Sequence, residues 1–223
     1  MIKNLIFDFG GVLIDIDPLR VGQLFKELGI KDVEKVNELA FSKGLYLDFE
    51  KGLITGAEFR DGLREVSSLK LTDAQIDGAW NSMILRFPKS RFDLLKQLKK
   101  NYNIYLLSNT NEIHLDYFNQ YVINNMGINR LDDLFTECFY SHIMKLRKPD
   151  HDIFLKMIET GGMKPSESLY IDDLPENTDA ARELGFPSIT HNSKEEINQY
   201  FVDGRIVDGL IKDYSNFSSF NKR

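Results

Sequence analysis

The 223-residue chain has a single cysteine, Cys138, so an intrachain disulfide is excluded and nothing suggests an oxidising compartment. Positive charge is also scarce: 28 Lys and Arg stand against 34 Asp and Glu, for a formal charge of −6. No basic stripe is left to neutralise a run of phosphates, which argues against a general nucleic-acid binder. One or two local cations would still suffice for a small anion. Long apolar runs are missing as well: nothing is long enough to span a bilayer. The apolar stretch in MIKNLIFDFGG is cut by Asp8 before a signal peptide's apolar region could form. His114, His142, His151 and His191 are scattered without metal-ligand spacing, and no internal repeat is evident. The expectation is a soluble cytoplasmic protein, with neither nucleic acid nor membrane among its partners. The Asn216-Phe217-Ser218 sequon then carries no glycan. Monomer and homodimer both stay open.

What is present is ordinary for a globular protein: 42% hydrophobic and 28% charged residues. Divided by a typical domain of roughly 150 residues, the length amounts to about one and a half domains. Lys3–Phe9 is a mostly apolar run ending at Gly10-Gly11, which predicts a buried strand entering a turn. The texture then turns helical. Asp17-Pro18 starts a helix that Gly29 stops, and Asp32 caps a second through about Phe41. Thr55-Gly56-Ala57-Glu58 and Thr72-Asp73-Ala74-Gln75 have capping-box spacing at the head of two more. Lys43–Gly52 is predicted as a connecting loop or helix turn.

After Pro88 the rhythm is helix, strand, helix, strand. Strands are expected at Asn103–Leu107, Glu137–Tyr140, Leu169–Ile171 and Pro187–Thr190, with helices between them. Strands separated by helices imply right-handed crossovers and a doubly wound parallel sheet, an α/β Rossmann-like core. The predicted organisation is a core at 1–14 and 89–205, an inserted α-helical cap at 15–88, and a C-terminal tail at 206–223. The tail from about Asp213 reads as frayed. An insert placed just after the first strand hangs over the carboxyl ends of the strands, where open α/β sheets bind ligands, and is positioned as a lid.

Four polar clusters each follow an apolar strand: Asp8, Ser108-Asn109, Lys148 and Asp172-Asp173. In a parallel sheet all four emerge at one edge. Carboxylates, a hydroxyl and an ammonium gathered there describe a site for a hard cation and an anion, most simply Mg²⁺ and phosphate. Each cluster also has a purely structural alternative. Asp8 could bond backbone amides in the Gly-Gly turn, Ser108-Asn109 could only cap a helix, and Lys148 could belong to a solvated basic face with Lys145 and Arg147. Asp172-Asp173 could cap the Pro175 helix, although adjacent carboxylates are costly without a cation. Asn177 is expected to bond the turn near Asp173. Cys138, Trp80 and most phenylalanines are expected as packing, while Tyr46 and Phe49 lie in a cap loop that could face substrate.

The segments Ile6-Phe7-Asp8-Phe9-Gly10-Gly11-Val12-Leu13, Leu106-Leu107-Ser108-Asn109, Arg147-Lys148-Pro149-Asp150 and Tyr170-Ile171-Asp172-Asp173, with Asn177 and Ala181 beyond, come in that order. Their order and spacing resemble the haloacid dehalogenase superfamily, in members with a small helical cap. The wording around Ser108 and Lys148 resembles its sugar-1-phosphate phosphatase branch. The resemblance implies a phosphoric monoester hydrolase acting on a small phosphate ester, most simply a sugar phosphate, through an aspartyl-phosphate. It implies Asp8 as nucleophile, Ser108 and Asn109 gripping a phosphoryl oxygen, and Lys148 neutralising the transferring group and orienting Asp8. It also implies Mg²⁺ held by Asp8, the Gly10 carbonyl and Asp173, with Asp172 beside it.

One departure stands out. The family's acid/base is usually an aspartate two positions after the nucleophile, and here that position is Gly10. General acid–base help is worth ~10²–10⁴-fold in rate, so turnover is expected to be slow, limited to good leaving groups, or served by Asp15, Asp17 or Glu50 instead. A phosphomutase suffers more from this loss than a phosphatase. A dehalogenase attacks carbon and gives the paired Asp172-Asp173 no purpose. The alternative from another class is a catalytically impaired phosphate-ligand or protein-binding module that keeps the site.

Overall fold

In a computed structural model, which describes residues 1–211, Asn4–Phe7 forms β1 with all four residues buried. The chain then passes through a short β2 (Asp15–Ile16) into five helices: α1 (Leu19–Glu27), α2 (Val33–Ser42), α3 (Leu45–Glu50), α4 (Gly56–Ser67) and α5 (Asp73–Asn81). It returns through β3 (Ile84–Arg86) and alternates: α6 (Lys89–Leu98), β4 (Asn103–Ser108), α7 (Glu112–Met126), β5 (Glu137–Tyr140), α8 (Ser141–Met144) and α9 (His151–Gly161). It finishes with β6 (Ser168–Asp172), α10 (Pro175–Glu183), β7 (Ser188–Thr190) and a hairpin of β8 (Phe201–Val202) with β9 (Arg205–Ile206).

The doubly wound sheet expected from the sequence forms, in the order β5-β4-β1-β6-β7 with every pairing parallel. Alternation along the strands fills both faces. Leu5, Phe7, Ile104, Leu106, Leu169 and Ile171 face one apolar cluster, and Ile6, Tyr105, Leu107 and Tyr170 face the other. Two buried faces explain why these strands read as near-continuous apolar runs. The chain leaves β1 for one side and returns on the other, so β1 lies where the winding reverses and a crevice opens at the carboxyl edge.

Helices α1 to α5 bury a third cluster, built on Phe25, Ala40, Phe49, Phe59, Leu63 and Ile76, which Ile113 of α7 joins from the core. Both capping boxes form as the sequence predicts, at Thr55 with Glu58 and at Thr72 with Gln75. Asp32 caps α2 through the Lys35 amide, 3.0 Å away.

The segment 15–88 is not purely helical. Its entry and exit pair as the antiparallel β2–β3 ribbon, and Arg86 binds Asp15 across it. Two passes of chain running side by side satisfy each other's backbone groups, which short-range periodicity does not reveal. Within 43–52 the connection holds a full helix, α3, entered through Gly44 at φ 72 and anchored by Leu45 and Phe49, one turn apart and buried. At the other end, Ile206 and Leu210 pack against the sheet core, so the chain is still docked at the start of the expected tail. The frayed stretch and the sequon lie outside the described residues. No described helix is long and apolar enough to cross a membrane.

Candidate active site

Asp8 directly follows β1, with its amide donating to the Ile171 carbonyl at 2.8 Å, and Asp172 ends the adjacent β6. Lys148, only 1% exposed, reaches in from the segment after α8 and donates to both carboxylates: Nζ lies 2.6 Å from Asp8 Oδ1 and 2.7 Å from Asp172 Oδ2. Ser108, buried at the end of β4, completes the edge. Chain segments distant in sequence thus converge on Lys148, Asp8 and Asp172.

Asn109 is tied to the backbone of Lys148. Its side-chain amide donates to the Lys148 carbonyl and accepts the Lys148 amide, both at 2.9 Å. Through these two bonds Asn109 holds the lysine's chain segment in place. Asn177 bonds the turn beside Asp173 as expected, through Asp172, at 3.0 Å to each oxygen. Asp172 also accepts the Leu174 amide at 2.9 Å and the Tyr170 hydroxyl. From sequence alone Tyr170 is assigned no role of its own. The available signal was its place two residues before Asp172, since period two puts both side chains on one face.

Burial pushes the Asp8 carboxyl up to about 7, against the pull of the Lys148 ammonium, with the nearby Asp172 charge adding to the rise. Burial, then the Asp172 charge, pushes Asp173 up to about 6. Asp172 is also penalised by burial, yet Lys148 and its hydrogen-bond donors outweigh this and hold it below the usual carboxylate range. Lys148 stays charged, because its two carboxylates overcome the cost of burying it.

Three carboxylates therefore share one ammonium. Oxygens of Asp8, Asp172 and Asp173 lie within 4.8 Å of one another, a hard-donor set suited to Mg²⁺. Gly11, at φ 71, makes room for the cluster: a Cβ there would overlap the Asp173 carboxylate. The residues fit the ion. Between about pH 4 and 7 the folded protein holds protons on Asp8 and Asp173 that the unfolded chain has released. Metal-free stability is thus expected to fall as pH rises through that window, while Asp172 acts only below it. Melting in chelator and in Mg²⁺ across this range checks it: the Mg²⁺-induced rise in Tm should grow with pH, and a flat response would contradict the site.

The three candidates for a replacement acid each have other partners. Asp15 is bound by Arg86 and by Arg91, the latter at 2.9 Å; burial would raise its pKa, but the two guanidiniums outweigh it and keep it low. Asp17 accepts the Leu19 amide at the start of α1, 3.1 Å away. Glu50 is paired with Arg147 at 3.0 Å. Phe49, expected as a possible substrate contact, is 1% exposed and stacked on Phe59 inside the helical cluster. Tyr46 and Trp80 do border open space, in a cavity lined also by Glu50. Trp80, expected as packing, thus also forms part of a cavity wall. His114 and His191 are both buried, bonded to Asn81 and Tyr200 respectively.

Residues 2–185 match the haloacid dehalogenase-like hydrolases. The chain is 33% identical over 186 residues to a D-ribitol-5-phosphate phosphatase of Bacteroides thetaiotaomicron, covering 83% of this chain and 90% of that one. Among solved structures it is similar to a HAD family enzyme of the same organism in complex with magnesium and inorganic phosphate, at 40% identity and a TM-score of 0.83, covering 91% of this chain and all of the other. A HAD-like family hydrolase from Porphyromonas gingivalis follows at 37% identity and a TM-score of 0.80, over 87% and 93% of the two chains.

Proposed function

The chain belongs to the haloacid dehalogenase-like hydrolases, and from that premise we propose that it is a Mg²⁺-dependent phosphatase of a small sugar or sugar-alcohol phosphate. The observation that carries this reading is the buried Lys148 ammonium bridging Asp8 and Asp172 beside Asp173, at the reversal point of the sheet.

Asp8 is the nucleophile. Its carboxylate attacks phosphorus, the bond to the ester oxygen breaks, and an aspartyl-phosphate forms while the alcohol leaves with a proton taken up from solvent. Water then attacks the phosphorus, releasing inorganic phosphate and restoring Asp8. Lys148 holds Asp8 Oδ1 and so fixes the rotation of the attacking carboxylate, while its charge offsets the dianion. Asn109 keeps Lys148 at that height, and Ser108 offers its hydroxyl to a phosphoryl oxygen. Asp172, tied by Tyr170, Leu174 and Asn177, is the rigid anchor on the far side of the lysine. Asp8, Asp173 and the Gly10 carbonyl, with Asp172 adjacent, would hold Mg²⁺, which would supply the charge neutralisation that lets two anions meet.

Purified protein with Mg²⁺ and D-ribitol 5-phosphate should release phosphate, and a chelator should stop it. Failure to hydrolyse any phosphate monoester, with phosphate still bound, would instead favour a binding module, whose support is Gly10.

Gly10 also sets a rate prediction. A Cβ there meets the Ile16 side chain alone, most closely its flexible Cδ1 tip at 2.9 Å, and the backbone is not left-handed. Gly10→Asp should therefore fold and return a side-chain acid. Its kcat on alkyl phosphates should rise by up to ~10²-fold, with much less gain on phenyl phosphates, whose leaving groups need no proton. Equal gains on both would refute a missing acid.

A further inference from the structure

Lys148 lies in a stretch that belongs to no helix or strand, between the end of α8 and the start of α9. Such a stretch takes its place from what it touches. Asn109 holds it from the core. A second set of contacts holds it from the inserted helices. Glu50, Lys51 and Gly52, at the end of α3 and just beyond it, reach four residues of the run from Ser141 to Asp150.

Glu50 alone grips both ends of the segment leading to the lysine. Its backbone carbonyl accepts the buried Ser141 hydroxyl at 2.6 Å, and its carboxylate Oε2 takes two Arg147 nitrogens, at 3.0 and 3.1 Å. The Ser141 oxygen in turn accepts the Thr110 amide at 2.9 Å, which draws the loop after Ser108 and Asn109 into the same joint. Between the two ends, the Lys145 ammonium donates to the Gly52 carbonyl. Lys145 does so at φ 62, in the left-handed region where a side chain costs energy and glycine does not. Gly52 is fitted to the facing surface: at φ 59, a Cβ there would overlap the His142 carbonyl. Lys51 and Asp150, 3.4 Å apart at the surface, add little.

Resting on the phosphatase reading, we propose that Glu50-Lys51-Gly52 seats the lysine segment, and that Glu50, Arg147 and Lys145 are positioning residues that act through Lys148. The inserted helices then do more than cover the crevice: their contact with α8 and the residues after it sets where the Lys148 ammonium meets Asp8. Misplacing a positioned group by about 1 Å costs on the order of 10²-fold in rate, so part of that loss is expected when a tie is cut. Lys148 serves Asp8 and the phosphoryl group, which every ester shares, so the loss is the same for all leaving groups.

The test measures kcat and KM with Mg²⁺ on D-ribitol 5-phosphate and phenyl phosphate, in the wild type and in the Lys148→Met background. Glu50→Ala, which keeps the carbonyl for Ser141, should lower kcat about tenfold on both esters while KM shifts less than about twofold. In Lys148→Met the same change should cost less than about twofold, because its route to the chemistry is gone. Lys145→Gly cuts a tie and relieves the left-handed backbone, so it should lower kcat several-fold with Tm little changed. A Glu50→Ala loss that is larger on the alkyl ester makes Glu50 a proton donor and overturns the proposal. An undiminished loss in Lys148→Met overturns it too, as does Lys145→Gly at full kcat. If the wild type hydrolyses neither ester, the phosphatase reading itself fails.

Discussion

Asp8→Asn is expected to lower phosphate release by at least about 10⁴-fold while making the metal-free protein more stable. The first half follows from chemistry: an amide oxygen is a far weaker nucleophile than a carboxylate and cannot form the acyl phosphate that water then opens. The second half follows from electrostatics. At pH 8 the Asp8 carboxylate is ionised although burial and Asp172 push its pKa to about 7, so the folded state bears a cost that the unfolded chain does not. An amide of the same shape removes that charge and keeps an oxygen for the Lys148 ammonium, 2.6 Å away in the wild type. Melting of both proteins in chelator at pH 8 should place the variant a few degrees higher. Added Mg²⁺ should raise the wild-type Tm more than the variant's, because the variant has lost a charged oxygen donor. A variant that is inactive and also less stable would mean that Asp8 serves the fold, and the nucleophile assignment would lose its electrostatic support. The opposing signs make the test specific, since a merely misfolded protein loses both activity and stability.

How far such a site can be read without a structure depends on which contacts are local. Asp8 and the Asp172-Asp173 pair stand out because each interrupts an apolar run at a strand end, and parallel pairing carries them to one edge. Lys148 is not placed by that rule alone: it lies beyond β5 and α8, and Asn109 ties its backbone beside the edge. The task of Asn109 does not follow from topology either. Its sequence position offers an amide beside the site, but whether that amide meets substrate or backbone is decided by Lys148, 39 residues further on. Glu50 and Arg147 are 97 residues apart, and no periodicity links them. Likewise α3 is too short to show an amphipathic repeat, and β2 and β3 are two and three residues long, held by each other and not by their own propensity. Capping boxes, in contrast, are complete within four residues, which is why Thr55 and Thr72 mark their helices correctly.

Lys148 carries the second large expectation, because it is the one ammonium among three clustered carboxylates. Removing one partner of a buried ion pair strands the other charge, at a typical cost of 3–5 kcal/mol. Lys148→Met keeps most of the buried volume of a side chain that is 1% exposed, so its effect isolates the charge from packing. Phosphate release should fall about 10³-fold, the scale of losing a preorganised cationic donor. The carboxylates then answer by taking up protons. With the ammonium gone, Asp172 loses what holds its pKa down, and the folded variant binds up to one more proton than the unfolded chain at neutral pH. Its stability should therefore fall by up to about 1.4 kcal/mol per pH unit as pH rises through neutrality, a slope steeper than that of the wild type. Mg²⁺ supplies positive charge to the same oxygens, so it should restore more stability to the variant than to the wild type while leaving activity low. Urea melts at several pH values, with and without Mg²⁺, read both effects. Should Lys148→Met unfold with the pH dependence of the wild type, the ammonium is not what lets Asp8 and Asp172 lie side by side, and the positioning of the nucleophile would have to come from the backbone alone.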